Sequence, residues 1–316
     1  MIMKRAYVFP GQGSQSVGMG KALADNFPEA RETFEAVDDA LSRKLSALIF
    51  EGPDTDLNLT ENTQPALMTV SMAVVNVLKA KGVDLAQTGV YVAGHSLGEY
   101  SALTAAGTLK IEDTARLLKL RGESMQKAVP VGVGAMAAIL GLDMPEVQAI
   151  ARDAAGADVC TAANDNSDGQ VVVSGHKGAV ERAVALATER GAKRAVMLPV
   201  SAPFHCSLMT PAAEAMKGAL EGTEFLPPSL PVVTNITAQA ESDPAKLRGL
   251  LVEQITGTVR WRESVLWMAA QGVTEIVELG AGKVLSGLVR RIDKSIVCRN
   301  AETPEEIQAL LDVLSK

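Results

Sequence analysis

The sequence predicts an α/β fold with a mainly parallel sheet and an inserted ferredoxin-like small domain. Short apolar runs alternate with longer helical segments up to about residue 128, which is typical of parallel strands covered by helices on both faces. Over 129–198 the order becomes βαββαβ, that of a ferredoxin-like unit. The alternation of short apolar runs and longer helical segments then resumes. We therefore expect a large domain over 1–128 and 199–316 and a small domain over 129–198.

The first predicted strand is the apolar run 4–9, which ends at Pro10 and a loop that begins Gly11-Gln12-Gly13. A second apolar run, 90–93, precedes the segment Gly94-His95-Ser96-Leu97-Gly98-Glu99. Segments with helical spacing fill the rest of this part. Helices are expected over 21–48, over 64–81, from the Ser96 segment to Gly107, and over 111–128.

In the small domain, the spacing predicts two helices, over 145–155 and 178–190, among four strands. The strands are expected over 136–140, 159–163, 170–174 and 195–198. The chain then returns to the large domain through a loop, 201–205. Further strands are expected over 230–235, 275–279 and 295–298.

Composition disfavours several classes of protein. The 316 residues are 47% apolar, enough for a sizeable core, but no run approaches the ~18 uncharged apolar residues of a membrane span. The first apolar run is too short for a signal peptide, so a cytoplasmic protein is expected. A net charge of −7 disfavours nucleic-acid binding. The three cysteines lack disulfide or zinc spacing, and we expect neither a metal nor a cofactor.

Ser96 lies in the pattern G-x-S-x-G between a predicted strand and a predicted helix, which is the pattern of a nucleophile elbow. Such a turn lifts the serine hydroxyl clear of the sheet, and Gly94 and Gly98 leave room for the close strand and helix. The pentapeptide by itself also occurs in ordinary loops. Its position here indicates a nucleophile.

A serine hydroxyl needs a base, and histidine, with a pKa near ~6.5, suits that role. Of the three histidines, His95 is expected to pack or support the turn, and His176 to cap a helix at the surface. His205, in the loop that re-enters the large domain, is therefore the predicted base. No acid follows it in a signature position. A carbonyl that holds the imidazole N–H would make a Ser-His dyad instead of a triad.

The loop that contains Gln12 lacks the third glycine of a dinucleotide-binding loop and the lysine of a Walker loop. Its glycines instead let main-chain N–H groups approach a substrate oxygen. The N–H of Leu97 and one N–H from this loop would form an oxyanion hole.

Arg121 occupies a position where the apolar stripe of helix 111–128 calls for an apolar residue, so its guanidinium is expected to face inward. A buried cation needs an anion. One interpretation is a structural salt bridge with a protein carboxylate. The other is a substrate carboxylate held in a bidentate manner.

At these residues the sequence resembles the malonyl-CoA:acyl carrier protein transacylase family. That family has a hydrolase-like large domain with a ferredoxin-like insert, which agrees with the pattern above. Gly280-Ala281-Gly282 departs from the family, where proline is often in the middle. The matching segments span essentially the whole chain in family order and are 9–15, Thr63-Gln64-Pro65-Ala66, 94–100, Arg121-Gly122, Pro203-Phe204-His205, Val259-Arg260-Trp261 and Gly282-Lys283-Val284-Leu285.

The resemblance implies that Ser96 is the nucleophile, that His205 is the general base and acid, and that Arg121 clamps the malonyl carboxylate. It implies that the main-chain N–H groups of Gln12 and Leu97 form the oxyanion hole.

Two further residues receive roles from the resemblance. The main-chain carbonyl of Gln254 would orient the ring of His205. The ring of Phe204 would crowd a branch at C2 of the substrate and so favour malonyl over methylmalonyl.

The implied activity is transfer of a malonyl group from malonyl-CoA to the phosphopantetheine thiol of acyl carrier protein through a malonyl-serine ester, with ping-pong kinetics. The product would feed fatty acid or polyketide synthesis, and a monomer is expected. The carrier is expected to be acidic and would need local positive charge on the enzyme. The candidates, which are equally well explained as ordinary surface, are Arg190, Lys193, Arg194, Arg290, Arg291 and Lys294.

Three alternatives stay open at this point. A serine hydrolase or thioesterase would use the same serine and histidine. The transacylase of a malonate-processing complex would load a different carrier by the same chemistry. A non-catalytic protein that docks the carrier would leave the serine, the histidine and the inward arginine without a role.

Overall fold

A computed structural model of the chain describes residues 4–200 and 202–314, so Ser201 in the predicted return loop lies outside the described residues. Two sheets are covered by helices. The strands are β1 (Arg5–Phe9), β2 (Tyr91–Gly94), β3 (Gly134–Leu140), β4 (Cys160–Ser167), β5 (Gln170–His176), β6 (Arg194–Met197), β7 (Val232–Val233), β8 (Ala240–Glu241), β9 (Glu275–Leu279) and β10 (Val297–Ala301). The helices are α1 (Lys21–Asn26), α2 (Pro28–Leu41), α3 (Leu45–Glu51), α4 (Asp54–Leu57), α5 (Thr60–Ala80), α6 (Leu85–Thr88), α7 (Gly98–Ala105), α8 (Ile111–Lys127), α9 (Met144–Ala155), α10 (Lys177–Glu189), α11 (Thr210–Glu221), α12 (Pro244–Thr256), α13 (Trp261–Ala270), α14 (Val284–Ile292) and α15 (Pro304–Leu314).

The large sheet has the strand order β10-β9-β1-β2-β7-β8. Its neighbouring strands are parallel except for β7 and β8. The central strand β1 is buried along its whole length, as expected for a strand with helices on both faces. The mainly parallel sheet that the sequence predicts is therefore confirmed.

The carboxyl ends of β1 and β2 meet at one edge of the large sheet. The two strands are in register, with Phe9 opposite Gly94. The N–H of His95 donates to the carbonyl of Phe9 (3.1 Å), which joins the segment after β2 to the loop after β1. In open α/β sheets ligands bind at this edge. The glycine loop and the serine turn are neighbours for this reason.

The small sheet has the order β4-β5-β3-β6, and its neighbouring strands are antiparallel. With α9 and α10, the chain order is βαββαβ, which matches the prediction. A separate apolar cluster joins this sheet to its two helices. Val259 connects β4 to the large-sheet part, because its N–H donates to Ala163 (2.9 Å) and its carbonyl accepts from Asp165 (2.9 Å).

The structure corrects several predicted boundaries. The helix expected over 21–48 is three helices, because Pro28 starts α2 anew and Ser42, with a φ of 51°, ends it. The helix expected from residue 64 begins at Thr60 and carries Pro65 inside it. The strand expected over 230–235 shrinks to β7, because a turn begins at Thr234, whose carbonyl accepts the N–H of Ala238 (2.9 Å). Within the described residues, no helix is long and apolar enough to span a bilayer.

Candidate active site

Ser96 lies in the tight turn between β2 and α7, where its φ is 53°. That left-handed conformation is costly for a residue with a side chain and persists only where the surroundings enforce it. Gly94 allows the tight turn, since a Cβ there would lie 1.9 Å from the main chain of Gly98. Asn235 braces the turn: its Oδ1 accepts the N–H of Ser96 (2.8 Å) and its Nδ2 donates to the carbonyl of Gly94 (2.7 Å).

The ring of His205 connects Ser96 to the main chain of Gln254. Ser96 Oγ and His205 Nε2 are 2.8 Å apart, and His205 Nδ1 lies 2.8 Å from the carbonyl oxygen of Gln254. A carbonyl can only accept, so Nδ1 carries the proton and Nε2 accepts from the serine hydroxyl. The arrangement can remove the proton of Ser96, with a carbonyl in the place that an acid takes in a triad.

His205 is 4% exposed, and its surroundings keep the ring neutral. Burial lowers the pKa of His205 to about 3, and the neighbouring charge of Arg121 acts in the same direction. The hydrogen bond that Nδ1 donates to the carbonyl of Gln254 opposes this shift. The base is therefore in its proton-accepting form across the neutral range.

Arg121 is 1% exposed and faces the serine. Its Nη2 donates to Ser96 Oγ (3.1 Å) and to Gln254 Oε1 (2.8 Å), and its Nη1 donates to Gln64 Oε1 (2.7 Å). Within residues 4–200 and 202–314 its Nε has no hydrogen-bond partner. Among the described residues no carboxylate lies within 4.0 Å of this guanidinium, so the interpretation as a structural salt bridge is wrong for them.

The side chain of Gln254 is a junction of this network. Its Oε1 holds Arg121, while its Nε2 donates to the carbonyl of Ser96 (3.0 Å) and to Glu99 Oε2 (2.9 Å). The same oxygen of Glu99 accepts the N–H of Asn235 (3.0 Å). Burial raises the pKa of Glu99 to about 7, although these two bonds and the charge of Arg121 lower it in part.

The cleft beside Ser96 encloses a cavity of about 180 Å³, which suits a small acyl group. Gln12, Leu97 and Phe204 line it from the large-sheet side. Within the part of the chain that the structure describes, the main-chain N–H groups of Gln12 and Leu97 have no hydrogen-bond partner, so both can donate to a ligand. The other lining residues are Gln64, His95, Arg121, Met125, Met136, Asn164, Asn166, Val172, Leu198, Val200 and His205.

The two other histidines have different partners. His95 Nε2 lies 2.8 Å from Asn166 Oδ1, so His95 supports the turn by joining it to β4. His176 precedes α10, but its side chain makes no capping bond. Its Nδ1 instead accepts the N–H of Val159 (2.9 Å), the residue before β4. The predicted capping role of His176 is therefore wrong.

The basic candidates for carrier binding differ in whether they already pair with another side chain of the protein. Arg190 pairs with Asp153 and with Glu146 (3.3 Å), which compensates its charge. Arg291 Nη1 donates to Gln170 Oε1 (2.7 Å). No group of three metal-binding side chains occurs in residues 4–200 and 202–314.

The structure adds site residues that sequence reasoning did not assign. Asn235 and Glu99 hold the turn, and the side chain of Gln254 holds Arg121. Gln64 lies in segment 63–66, which matches the family, and this match could have indicated its role in the site. Glu99 follows the serine pentapeptide directly. Asn235 sits in an irregular loop after β7, where no local pattern marks it.

Comparisons with known proteins give one consistent result. The family described as "Acyl transferase domain" matches residues 6–303. A protein of Salmonella typhimurium named malonyl CoA-acyl carrier protein transacylase is 46% identical over 306 residues, which cover 97% of this chain and 98% of that protein.

Solved structures agree over the same length. The acyl-carrier-protein-S-malonyltransferase of Bartonella henselae is 55% identical, with a TM-score of 0.98 over 99% of this chain and 100% of that one. A malonyl-transacylase in complex with its type II polyketide synthase acyl-carrier protein is 42% identical, with a TM-score of 0.95 over 98% of this chain and 99% of that one.

Proposed function

The chain belongs to the acyl transferase family, and from that premise we propose that it transfers a malonyl group from malonyl-CoA to the phosphopantetheine thiol of acyl carrier protein. One observation carries the choice of a carboxylated acyl group. Arg121 is buried, has no carboxylate partner among the described residues, and donates to the serine hydroxyl. A substrate carboxylate would supply the anion that this cation lacks.

In the first half-reaction, Ser96 Oγ attacks the thioester carbonyl while His205 Nε2 takes the hydroxyl proton. The main-chain N–H groups of Gln12 and Leu97 stabilise the oxyanion of the tetrahedral intermediate. The C–S bond then breaks, and His205 returns the proton to the coenzyme A thiolate as it leaves. A malonyl-serine ester remains.

In the second half-reaction, the phosphopantetheine thiol enters where coenzyme A left. His205 takes the thiol proton, the sulfur attacks the ester carbonyl, and the C–O bond to Ser96 breaks with return of the proton to its oxygen. The neutral state of His205 suits it to accept a proton in each half-reaction. Arg121 holds the malonyl carboxylate through both steps.

Phe204 is proposed to restrict the acyl group. The residue is 9% exposed and lines the cleft with Ser96. A methyl branch at C2 of the substrate would meet this ring, so malonyl is the preferred group. Relative rates with malonyl-CoA and methylmalonyl-CoA would test the preference.

The division of the chain into domains is also part of this proposal. We assign 1–128 and 199–316 to a hydrolase-like catalytic domain and 129–198 to an inserted small domain, in support of which one apolar cluster lies wholly within 129–198. The monomeric state, the cytoplasmic location and carrier binding by basic residues stay predictions, the candidates being Arg190, Lys193, Arg194, Arg290, Arg291 and Lys294.

Intact-mass measurement tests the function. Malonyl-CoA should add one malonyl group at Ser96, and phosphopantetheinylated acyl carrier protein should then remove it and gain the same mass. Rapid loss of the group to water without the carrier would support a hydrolase instead. Absence of any adduct would support a non-catalytic docking protein. Transfer to a carrier of malonate processing, but not to one of fatty acid or polyketide synthesis, would favour the malonate-processing alternative.

A further inference from the structure

A chain of hydrogen bonds runs from Arg121 to the loop after β1. Arg121 Nη1 donates to Gln64 Oε1 (2.7 Å), and Gln64 Nε2 donates to Thr60 Oγ1 (3.0 Å). Thr60 Oγ1 in turn donates to Gln12 Oε1 (2.9 Å). Arg121, Gln64 and Thr60 are each about 1% exposed. The chain therefore lies inside the protein until it reaches Gln12.

The cation at one end fixes the direction of each bond. A guanidinium has only donors, so Gln64 presents its carbonyl oxygen to Arg121 and its NH₂ group to Thr60. Thr60 accepts that N–H and directs its own proton to Gln12. Gln12 must therefore turn its side-chain oxygen toward Thr60, which ties the loop after β1 to α5.

Close packing fixes where Thr60 lies relative to Arg121. Thr60 is the first residue of α5, and Gly122 follows Arg121 on α8. A Cβ on Gly122 would lie 2.4 Å from Glu61 Cα and 2.7 Å from the carbonyl oxygen of Thr60. Glycine thus lets α8 approach the start of α5 closely. The hydroxyl of Thr60 is held between the guanidinium and the loop.

We propose that Thr60 is a positioning residue whose hydroxyl couples Arg121 to Gln12 and so holds the oxyanion-binding N–H of Gln12 at its working distance from Ser96. The inference rests on the proposed function, because it takes that N–H as the oxyanion donor. Hydrogen bonds that run in one direction inside a protein strengthen one another. Without the hydroxyl, Gln64 Nε2 loses an acceptor and the loop loses its tie to α5. The free energy of the transition state should then rise more than the free energy of the bound substrate.

Thr60→Val tests this proposal because it keeps the shape of the side chain and removes the hydroxyl. Two reagents acylate Ser96 in single-turnover experiments. Malonyl-CoA needs both the clamp and the oxyanion hole, whereas p-nitrophenyl acetate needs the oxyanion hole without the clamp. We expect the maximal acylation rate constant to fall about tenfold with both reagents, which corresponds to roughly 1.4 kcal/mol. The concentration of malonyl-CoA at half-maximal rate should change less than about twofold, and Thr60→Ser should restore the rate.

Thr63→Val is the matched control. Thr63 is equally buried on the same helix, and its hydroxyl donates to the main-chain carbonyls of Leu57 (2.6 Å) and Leu59 (3.1 Å). Its loss should lower the thermal unfolding temperature but leave the acylation rate constants unchanged. If the role of Thr60 were only structural, Thr60→Val would change the unfolding temperature and leave the acylation rate constants unchanged.

Three results would overturn the proposal. Thr60→Val could react at the wild-type rate, Thr63→Val could slow the reaction as much, or Thr60→Ser could fail to restore the rate. The reaction with p-nitrophenyl acetate separates a failure of this proposal from a failure of the proposed function. If p-nitrophenyl acetate acylates the wild type and malonyl-CoA does not, the proposed function is wrong, and the ester rates of the variants still decide the role of Thr60.

Discussion

Arg121→Met is the perturbation that most directly tests the carboxylate clamp. Methionine fills a similar volume in the helix α8 and removes the cation. The guanidinium is held by Gln64 Oε1 (2.7 Å) and Gln254 Oε1 (2.8 Å), and one nitrogen reaches Ser96 Oγ (3.1 Å). These two glutamines orient the cation without neutralising it. Its charge is available to an acyl group on the serine.

The expected size of the effect can be worked out in two ways. A bidentate carboxylate receives two charge-assisted hydrogen bonds, each of roughly 1.5–3 kcal/mol, so the loss is about 3–6 kcal/mol. Coulomb attraction between unit charges about 4 Å apart, at an effective dielectric constant of about 20, gives about 4 kcal/mol. The two figures agree. We expect kcat/KM for malonyl transfer to fall by about 10² to 10⁴.

The assay compares malonyl-CoA with acetyl-CoA in single-turnover acylation of Ser96, followed by intact mass. An acetyl group has no carboxylate, so the replacement of Arg121 removes no carboxylate contact from it. It gains from an apolar side chain, since its methyl group then no longer lies against a buried cation. The ratio of malonyl to acetyl rates should therefore fall further than the malonyl rate alone.

Arg116→Met is the matched control on the same helix. Arg116 is exposed and pairs with Asp113 (3.1 Å) at the surface, so its loss should leave both rates unchanged. Thermal unfolding of both variants shows whether each is folded. A folded Arg121→Met protein that kept full malonyl transfer and gained no activity on uncharged acyl groups would refute the clamp.

Other contacts near the cleft give further expected outcomes. Because burial lowers the pKa of His205 to about 3, its ring should stay neutral from pH 8 down to about 5; NMR of its imidazole nitrogens checks this, and a midpoint near ~6.5 would contradict it. Asn235→Ala removes two hydrogen bonds from the serine turn, and urea unfolding should show a loss of about 1–3 kcal/mol, with slower acylation; unchanged stability would disprove the bracing role. Gly94→Ala would place a Cβ 1.9 Å from the main chain of Gly98 and should sharply lower the unfolding temperature, whereas Gly249→Ala, with open space on α12, should raise stability by about 0.5–1 kcal/mol; a Gly94→Ala protein as stable as the wild type would contradict the clash.

Local sequence determined the framework of this protein. The alternation of apolar runs and helical segments predicted both sheets, because periods of two and 3.6 residues are properties of the chain itself. The same local logic placed Ser96 in a turn between strand and helix and turned Arg121 inward on α8. It failed over 21–48, where Pro28 and Ser42 divide one helical pattern into three helices.

Tertiary structure alone decided the polar connections of the site. Two partners of Ser96, His205 and Asn235, lie 109 and 139 residues away in the chain, and no local period relates them to the serine. Gln254 Oε1 holds Arg121 across 133 residues in the same way. Hydrogen-bond partners depend on which loops the sheet edges bring together, and a side chain of Asn or Gln looks the same in sequence whether it braces a catalytic turn or lies in water. Periodicity fixes which residues are buried; only the folded chain fixes what a buried polar group can reach.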